Sequence, residues 1–286
     1  MNKTLQLILI FSVTICLLAA TGCMGTSGTV QPAATSLTVP QIPTVSFNAT
    51  PVQYKQVNSV TLGYREFGSG EPLLMLQGFG NTINDWNQTF IGILATKYHV
   101  YTYDHRGMGY SSDNNATPTI SQYADDAAAL MPALGYDSMN VYGVSMGSSV
   151  SQQLVIDHPE RVRKLVLDSV TYSVRIPETK LLYSVIVASG LDPNQTNGVH
   201  QEAQANLEWN GSWGNLSGIN KDVMLVVGTA DVLTPPPVTV QIAGQINGSW
   251  LVRFKGLPHV GSHYAPVEYG NNALYFLATN ESPLSK

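Results

Sequence analysis

The chain has 286 residues, 44% of them apolar, and a formal net charge of −5. That length suits one large or two small domains, and that apolar content with a mean hydropathy near zero excludes a disordered chain. The acidic balance, with no run of Lys or Arg, argues against a nucleic-acid partner.

The first residues read as a targeting segment: Lys3 supplies the leading charge, residues 5–20 an apolar run, and Ala20-Thr21-Gly22 the small residues ahead of Cys23. Small residues before a cysteine resemble the lipobox of prokaryotic lipoproteins, which implies cleavage after residue 22, lipidation of Cys23 and a location outside the cytoplasm on the membrane. An uncleaved anchor and free secretion are the alternatives. Of the two cysteines, Cys16 falls inside the apolar run and Cys23 is the residue to be lipidated, so a mature domain would have neither a disulfide nor a thiol nucleophile. Residues 23–51, rich in Thr, Ser, Pro, Gly and Ala, read as a flexible tether. N-x-S/T sequons, among them Asn87, Asn210 and Asn280, fit an extracytoplasmic surface or simply polar loops.

From residue 52 the pattern becomes regular. Residues 52–57 and 60–67 predict an antiparallel hairpin turning at Asn58-Ser59, and the apolar run 72–76 predicts a strand buried on both faces. A Gly-rich loop, Gln77-Gly78-Phe79-Gly80-Asn81, precedes helical spacing over 85–96. Strand-like 98–103 then leads into Asp104-His105-Arg106-Gly107-Met108-Gly109. Further helices are expected over 120–134 and 146–157, with strands at 139–142 and 162–167. Such alternation predicts an α/β domain over 52–286. It breaks at about 172–218, where two short helices, 180–189 and 200–209, read as a cap over the strand ends. The cap aromatics Tyr172, Tyr183, Trp209 and Trp213 suit either cap core or substrate wall. Strand, helix, strand and helix resume at 223–227, 237–245, 250–254 and 265–279.

Gly143-Val144-Ser145-Met146-Gly147 sits between a strand and a helix, the context in which G-x-S-x-G becomes a nucleophile elbow. A serine nucleophile needs a base within hydrogen-bond reach and a carboxylate to fix the base's tautomer. Both must lie beyond the carboxyl ends of the sheet strands. Asp231, after the strand 223–227, and His259, after the strand 250–254, meet that condition. Asp168 at the end of the strand 162–167 is a rival acid, and His263 a rival base. His99, His105, His158 and His200 fall in a strand, a turn, a helix end and the cap. Asp104 and Arg106 suit a buried structural turn.

The order Ser145, Asp231, His259, with the patches at 77–80, 104–109, 143–147, 228–235 and 256–266, resembles the α/β-hydrolase fold superfamily, esterase-like branch. The resemblance covers residue 52 to the C-terminus. It implies a mostly parallel eight-stranded sheet flanked by helices, and an oxyanion hole formed by the backbone N–H groups of Phe79 and Met146. It also implies hydrolysis of a small or medium carboxylic ester with no cofactor and no metal. Amide, lactone or C–C bond hydrolysis and cofactor-free perhydrolase chemistry suit the same three residues, and a non-catalytic ligand-binding lipoprotein is a further alternative. Serine at the elbow disfavours the dehalogenase and epoxide hydrolase readings, which use Asp there. The family usually has His where this chain has Gln77, and a Gln amide can donate and accept in the same place.

Overall fold

A computed structural model describes residues 42–279. The predicted leader, Cys23, most of the tether and the sequon at Asn280 lie outside the described residues. Eight strands form one sheet in the order β1-β2-β4-β3-β5-β6-β7-β8: β1 (Gln53–Val57), β2 (Val60–Phe67), β3 (Glu71–Leu76), β4 (Tyr98–Tyr103), β5 (Met139–Val144), β6 (Val162–Asp168), β7 (Asp222–Gly228) and β8 (Trp250–Phe254). The β1-β2 hairpin and the β2-β4 pair are antiparallel, and every other pair is parallel. This is the mostly parallel eight-stranded sheet that the sequence predicts.

Helices cover both faces. α2 (Ile120–Ala133), α3 (Met146–Asp157) and α6 (Pro236–Gln245) pack on one, and α1 (Gln88–Leu94) and α7 (Pro266–Ala278) on the other. Strand residues therefore alternate between two apolar layers. Leu74 and Leu76 of β3 enter the first, and Leu73 and Met75 the second, all fully buried. Burial of a side chain of that size contributes about 2 kcal/mol, so a strand buried on both faces has no room for polar alternation.

The predicted helix over 85–96 is two pieces. Thr82 and Asp85 cap one another around a short 3-10 turn, Ile83–Asp85, and Trp86 is extended. Asn87 then starts α1 afresh, its side chain accepting from the N–H groups of Thr89 and Phe90. Capping is worth about 1 kcal/mol per site, enough to decide a break that periodicity cannot show.

The cap consists of α4 (Lys180–Leu191) and α5 (Asn197–Glu208), inserted between β6 and β7. α5 begins three residues earlier than expected because Thr196 caps it by accepting from Val199 N–H. Leu182 and Ile186 of α4 and Ala203 of α5 form a small separate core with Val174. Of the cap aromatics, Trp209 is buried and donates to Gln153. Tyr172 packs against Trp213, whereas Tyr183 and Trp213 are exposed. Among the described residues no helix is long and apolar enough to cross a membrane.

The registers set up the site. Leu76 pairs with Gly143, Val144 with Asp168, Asp168 with Val226, and Gly228 with Phe254. The carboxyl ends of β3, β5, β6, β7 and β8 thus lie along one edge of the sheet, where the loops carrying Phe79, Ser145, Asp231 and His259 emerge.

Candidate active site

Ser145 joins β5 to α3 with φ 54° and ψ −119°, a conformation an L residue adopts only at a cost of about 1–3 kcal/mol. The flanking glycines make the turn possible. A Cβ on Gly143 would lie 2.3 Å from the Gly147 carbonyl oxygen, and one on Gly147 would lie 2.2 Å from that of Leu76. Ser145 N–H donates to the Asp168 carbonyl at 2.9 Å, which pins the elbow to β6. The hydroxyl stands at the amino end of α3, where the helix field favours negative charge.

His259 reaches it from the loop after β8. Its Nε2 lies 2.9 Å from Ser145 Oγ, and its Nδ1 lies 2.8 Å from Asp231 Oδ2. An ionised carboxylate can only accept, so the shared proton belongs on Nδ1, which leaves the Nε2 lone pair facing the serine hydroxyl. Asp231 is almost wholly buried and also accepts from Leu233 N–H, Thr234 N–H and Thr234 Oγ1. Burial alone would raise its pKa. The hydrogen bond and charge of His259, with the two Thr234 donors, outweigh burial and hold the carboxyl below the usual range.

The rivals are placed elsewhere. Asp168 is fully buried, its carboxylate taken by Tyr142 Oη at 2.9 Å and Ser169 Oγ at 3.1 Å, with no hydrogen bond to a histidine. His263 is exposed in the 3-10 turn Gly261–His263, and its ring makes no hydrogen bond among the described residues. His99, His158 and His200 pair with Glu66, Asp125 and the Asp192 carbonyl, and among the described residues none of them hydrogen-bonds Ser145. Arg106 forms a buried two-point pair with Asp126, and Asp104 accepts from the N–H groups of Ile83 and Tyr110; both hold the turn after β4.

The loop after β3 shows a selective pattern of satisfied donors. Gly78 N–H donates to Gln77 Oε1 at 2.9 Å, Gly80 N–H to Glu202 Oε2 at 2.7 Å, and Asn81 N–H to the Gly78 carbonyl at 3.2 Å. Phe79 N–H, like Met146 N–H at the start of α3, has no acceptor among the described residues. Gly78 packs against the elbow, a Cβ there falling 3.2 Å from Ser145 Cβ. Gln77 anchors the loop through its oxygen only; its Nε2 is buried without a partner, so the expected donate-and-accept role is half realised.

A narrow, nearly closed cleft of about 10 Å³ adjoins the hydroxyl, walled by Phe79, Met146, Val174, Leu182 and Ile186, with Asn206 and Thr234 as polar neighbours. Larger concavities, such as that beside Val155 and Ile219, contain none of Ser145, Asp231 and His259. Sequence reasoning did not find Glu202, Ser169 or Thr234. Only Thr234 carried a signal, three residues past Asp231 where a hydroxyl can bond back to the carboxylate. Among the described residues no cluster of three His, Cys, Asp or Glu side chains could hold a metal ion.

Residues 71–199 match a family model described as the alpha/beta hydrolase fold. Among curated proteins, the acetyltransferase component of the acetoin cleaving system of Cupriavidus necator is 34% identical over 42% of this chain and 32% of its own. Fluoroacetate dehalogenase of a Burkholderia species is 33% identical over 43% of this chain and 42% of its own. The chain thus spans well under half the length of those curated relatives. Among solved structures, a thermophilic esterase from Thermogutta terrifontis superposes with a TM-score of 0.71 at 19% identity, covering 79% of this chain and 98% of that one. Sheet order, the strand–elbow–helix passage and these likenesses agree: the chain has the α/β-hydrolase fold.

Proposed function

We propose that this protein is a serine hydrolase that cleaves a small or medium carboxylic ester through an acyl-enzyme intermediate. The observation that carries the reading is the unbroken line from Ser145 Oγ to His259 Nε2 at 2.9 Å and from His259 Nδ1 to Asp231 Oδ2 at 2.8 Å. Ser145 Oγ attacks the ester carbonyl carbon as its proton passes to His259 Nε2, and Asp231 holds the imidazolium. The oxyanion takes the free N–H groups of Phe79 and Met146, each such donor being worth about 3–4 kcal/mol of transition-state stabilisation. Collapse breaks the bond to the leaving oxygen, which receives the proton from Nε2. Water then attacks the acyl carbon by the same proton path and frees Ser145. No step calls on a cofactor or metal.

The apolar cleft beside Ser145 is nearly closed, at about 10 Å³, so its walls must part to admit an acyl group, and a short one asks the smallest displacement. A p-nitrophenyl ester series tests this. Turnover is expected to be greatest for chains of about two to six carbons and to vanish in Ser145→Ala. Hydrolysis of lactones or anilides in preference to every ester would point instead to the same triad serving another acyl bond.

Tethering to the cell surface is part of the proposal and rests on the sequence of residues 1–51 alone. Incorporation of labelled palmitate into wild type but not Cys23→Ala is the expected result. Equal labelling of both, or of neither, would remove the lipid anchor.

A further inference from the structure

Glu202 belongs to the cap helix α5, yet it is completely buried and makes both of its side-chain hydrogen bonds outside the cap. Oε2 accepts from Gly80 N–H at 2.7 Å, in the loop after β3. Oε1 lies 3.0 Å from Nδ1 of His105, itself 4% exposed in the turn after β4. His105 is wedged between the rings of Tyr103 and Tyr123, and its Nε2 has no partner among the described residues, so the ring's one hydrogen bond there is to Glu202. A carboxylate accepts only, so His105 donates through Nδ1.

A fully buried carboxylate is expensive to maintain and is seldom placed where an apolar residue would serve. Here it sits one peptide from the oxyanion donor. In the stretch from Gly78 to Asn81, three N–H groups have acceptors, and that of Phe79 has none among the described residues. Gly80 adopts φ +73°. Fixing Gly80 N–H fixes the 79–80 peptide plane, and with the Asn81-to-Gly78 turn it fixes the direction in which Phe79 N–H points. Without an acceptor from the cap, Gly80 N–H would be free to turn, and the Phe79 donor with it.

We propose that Glu202 is a positioning residue for the oxyanion loop: supported by His105, it holds Phe79 N–H in the orientation that receives the oxyanion, and so makes the seating of the cap a condition of catalysis. The proposal rests on the serine hydrolase reading. Oxyanion stabilisation acts in the transition state, so the loss should appear in kcat and not in KM.

The test uses the whole protein, p-nitrophenyl acetate, and an alkyl trifluoromethyl ketone, whose adduct with Ser145 places an oxyanion in the hole. Glu202→Ala is expected to lower kcat by about 10- to 100-fold, to leave KM within about threefold, and to weaken the ketone by the same factor as kcat. Glu202→Gln is expected to recover most of this, because its amide oxygen still accepts from Gly80 N–H while its NH2 group donates to the other tautomer of His105. A folded Glu202→Ala with wild-type kcat and ketone affinity would overturn the proposal. If Glu202→Ala does not fold, Glu202→Asp decides: it keeps the charge but withdraws the oxygens by one methylene. A tenfold loss in Asp with recovery in Gln supports positioning, and wild-type values in both overturn it. A wild type that takes no fluorophosphonate label removes the hydrolase reading and this one together, whereas a labelled wild type with an unaffected Ala variant removes this one alone.

Discussion

Val260 N–H donates to Ser169 Oγ at 3.0 Å, so the residue after His259 hangs from the residue after Asp168. Both stand in the left-handed region, Ser169 at φ 52° and Val260 at φ 55°, which for a β-branched residue is a strained position. Ser169 Oγ in turn donates to Asp168 Oδ1. The loop carrying His259 therefore depends on a hydrogen-bonded path back to the end of β6, and the strain along it is held by that path.

Removing the hydroxyl should release His259. Ser169→Ala is expected to cost about 1–2 kcal/mol of stability, the cost of leaving Val260 N–H without an acceptor. It should also lower kcat by about tenfold as the imidazole loses its alignment. Urea unfolding and steady-state kinetics on the same preparation check both. Unchanged kcat in a destabilised variant would show that the path supports the fold only.

Asp231 should behave as an orienting acid. Asp231→Asn presents an amide to His259 Nδ1, which favours the wrong tautomer, and kcat is expected to fall by about a thousandfold or more. Binding of a substrate-like ligand should change little, measured by competitive inhibition.

Asp168 gives a pH signature. Burial, the largest influence, pushes it up to about 6 against the hydrogen bonds of Tyr142 and Ser169. Its folded value thus exceeds the unfolded value near 4, so the fold favours the protonated form. Stability from this group is greatest below about pH 4 and is lost as pH rises toward about 6, by roughly 3 kcal/mol in all. Asp231, held below its usual value, has the opposite sign: its contribution is present above about pH 4 and is lost as pH falls through the folded value. Asp168→Asn should therefore gain on wild type by roughly 2 kcal/mol between pH 4 and pH 6.5, read from urea unfolding at each pH. A constant difference across that range would contradict the assignment.

The elbow glycines should resist any side chain. Gly147→Ala puts a Cβ against the Leu76 and Gln77 carbonyl oxygens, backbone atoms of β3 and its loop that cannot step aside. A loss of about 3 kcal/mol or failure to fold is expected, measured by denaturant unfolding of soluble protein.

The sheet and the three converging residues were legible because their signals are local. Apolar runs mark β3, β5, β6 and β7, and the glycines around Ser145 mark a turn that few other residues permit. Asp231 and His259 needed only the rule that chemistry gathers at strand ends. Glu202 was not legible, because its partners lie 97 and 122 residues away and a single Glu on a short helix reads as a solvated charge. The half-used Gln77 amide was hidden for the same reason: which of its atoms finds a partner depends on the packing of the loop. The break at Trp86 was missed because two side-chain caps compete locally with a continuous helical pattern.

The central claim is that Ser145 is a nucleophile activated by His259. Mass spectrometry of the intact chain after brief exposure to a fluorophosphonate, followed by peptide mapping, tests it directly. One phosphonyl group on the peptide bearing Ser145 in wild type, and none at equal time in folded His259→Ala, is the expected result. An unlabelled folded wild type, or a label carried on any other residue, would contradict it.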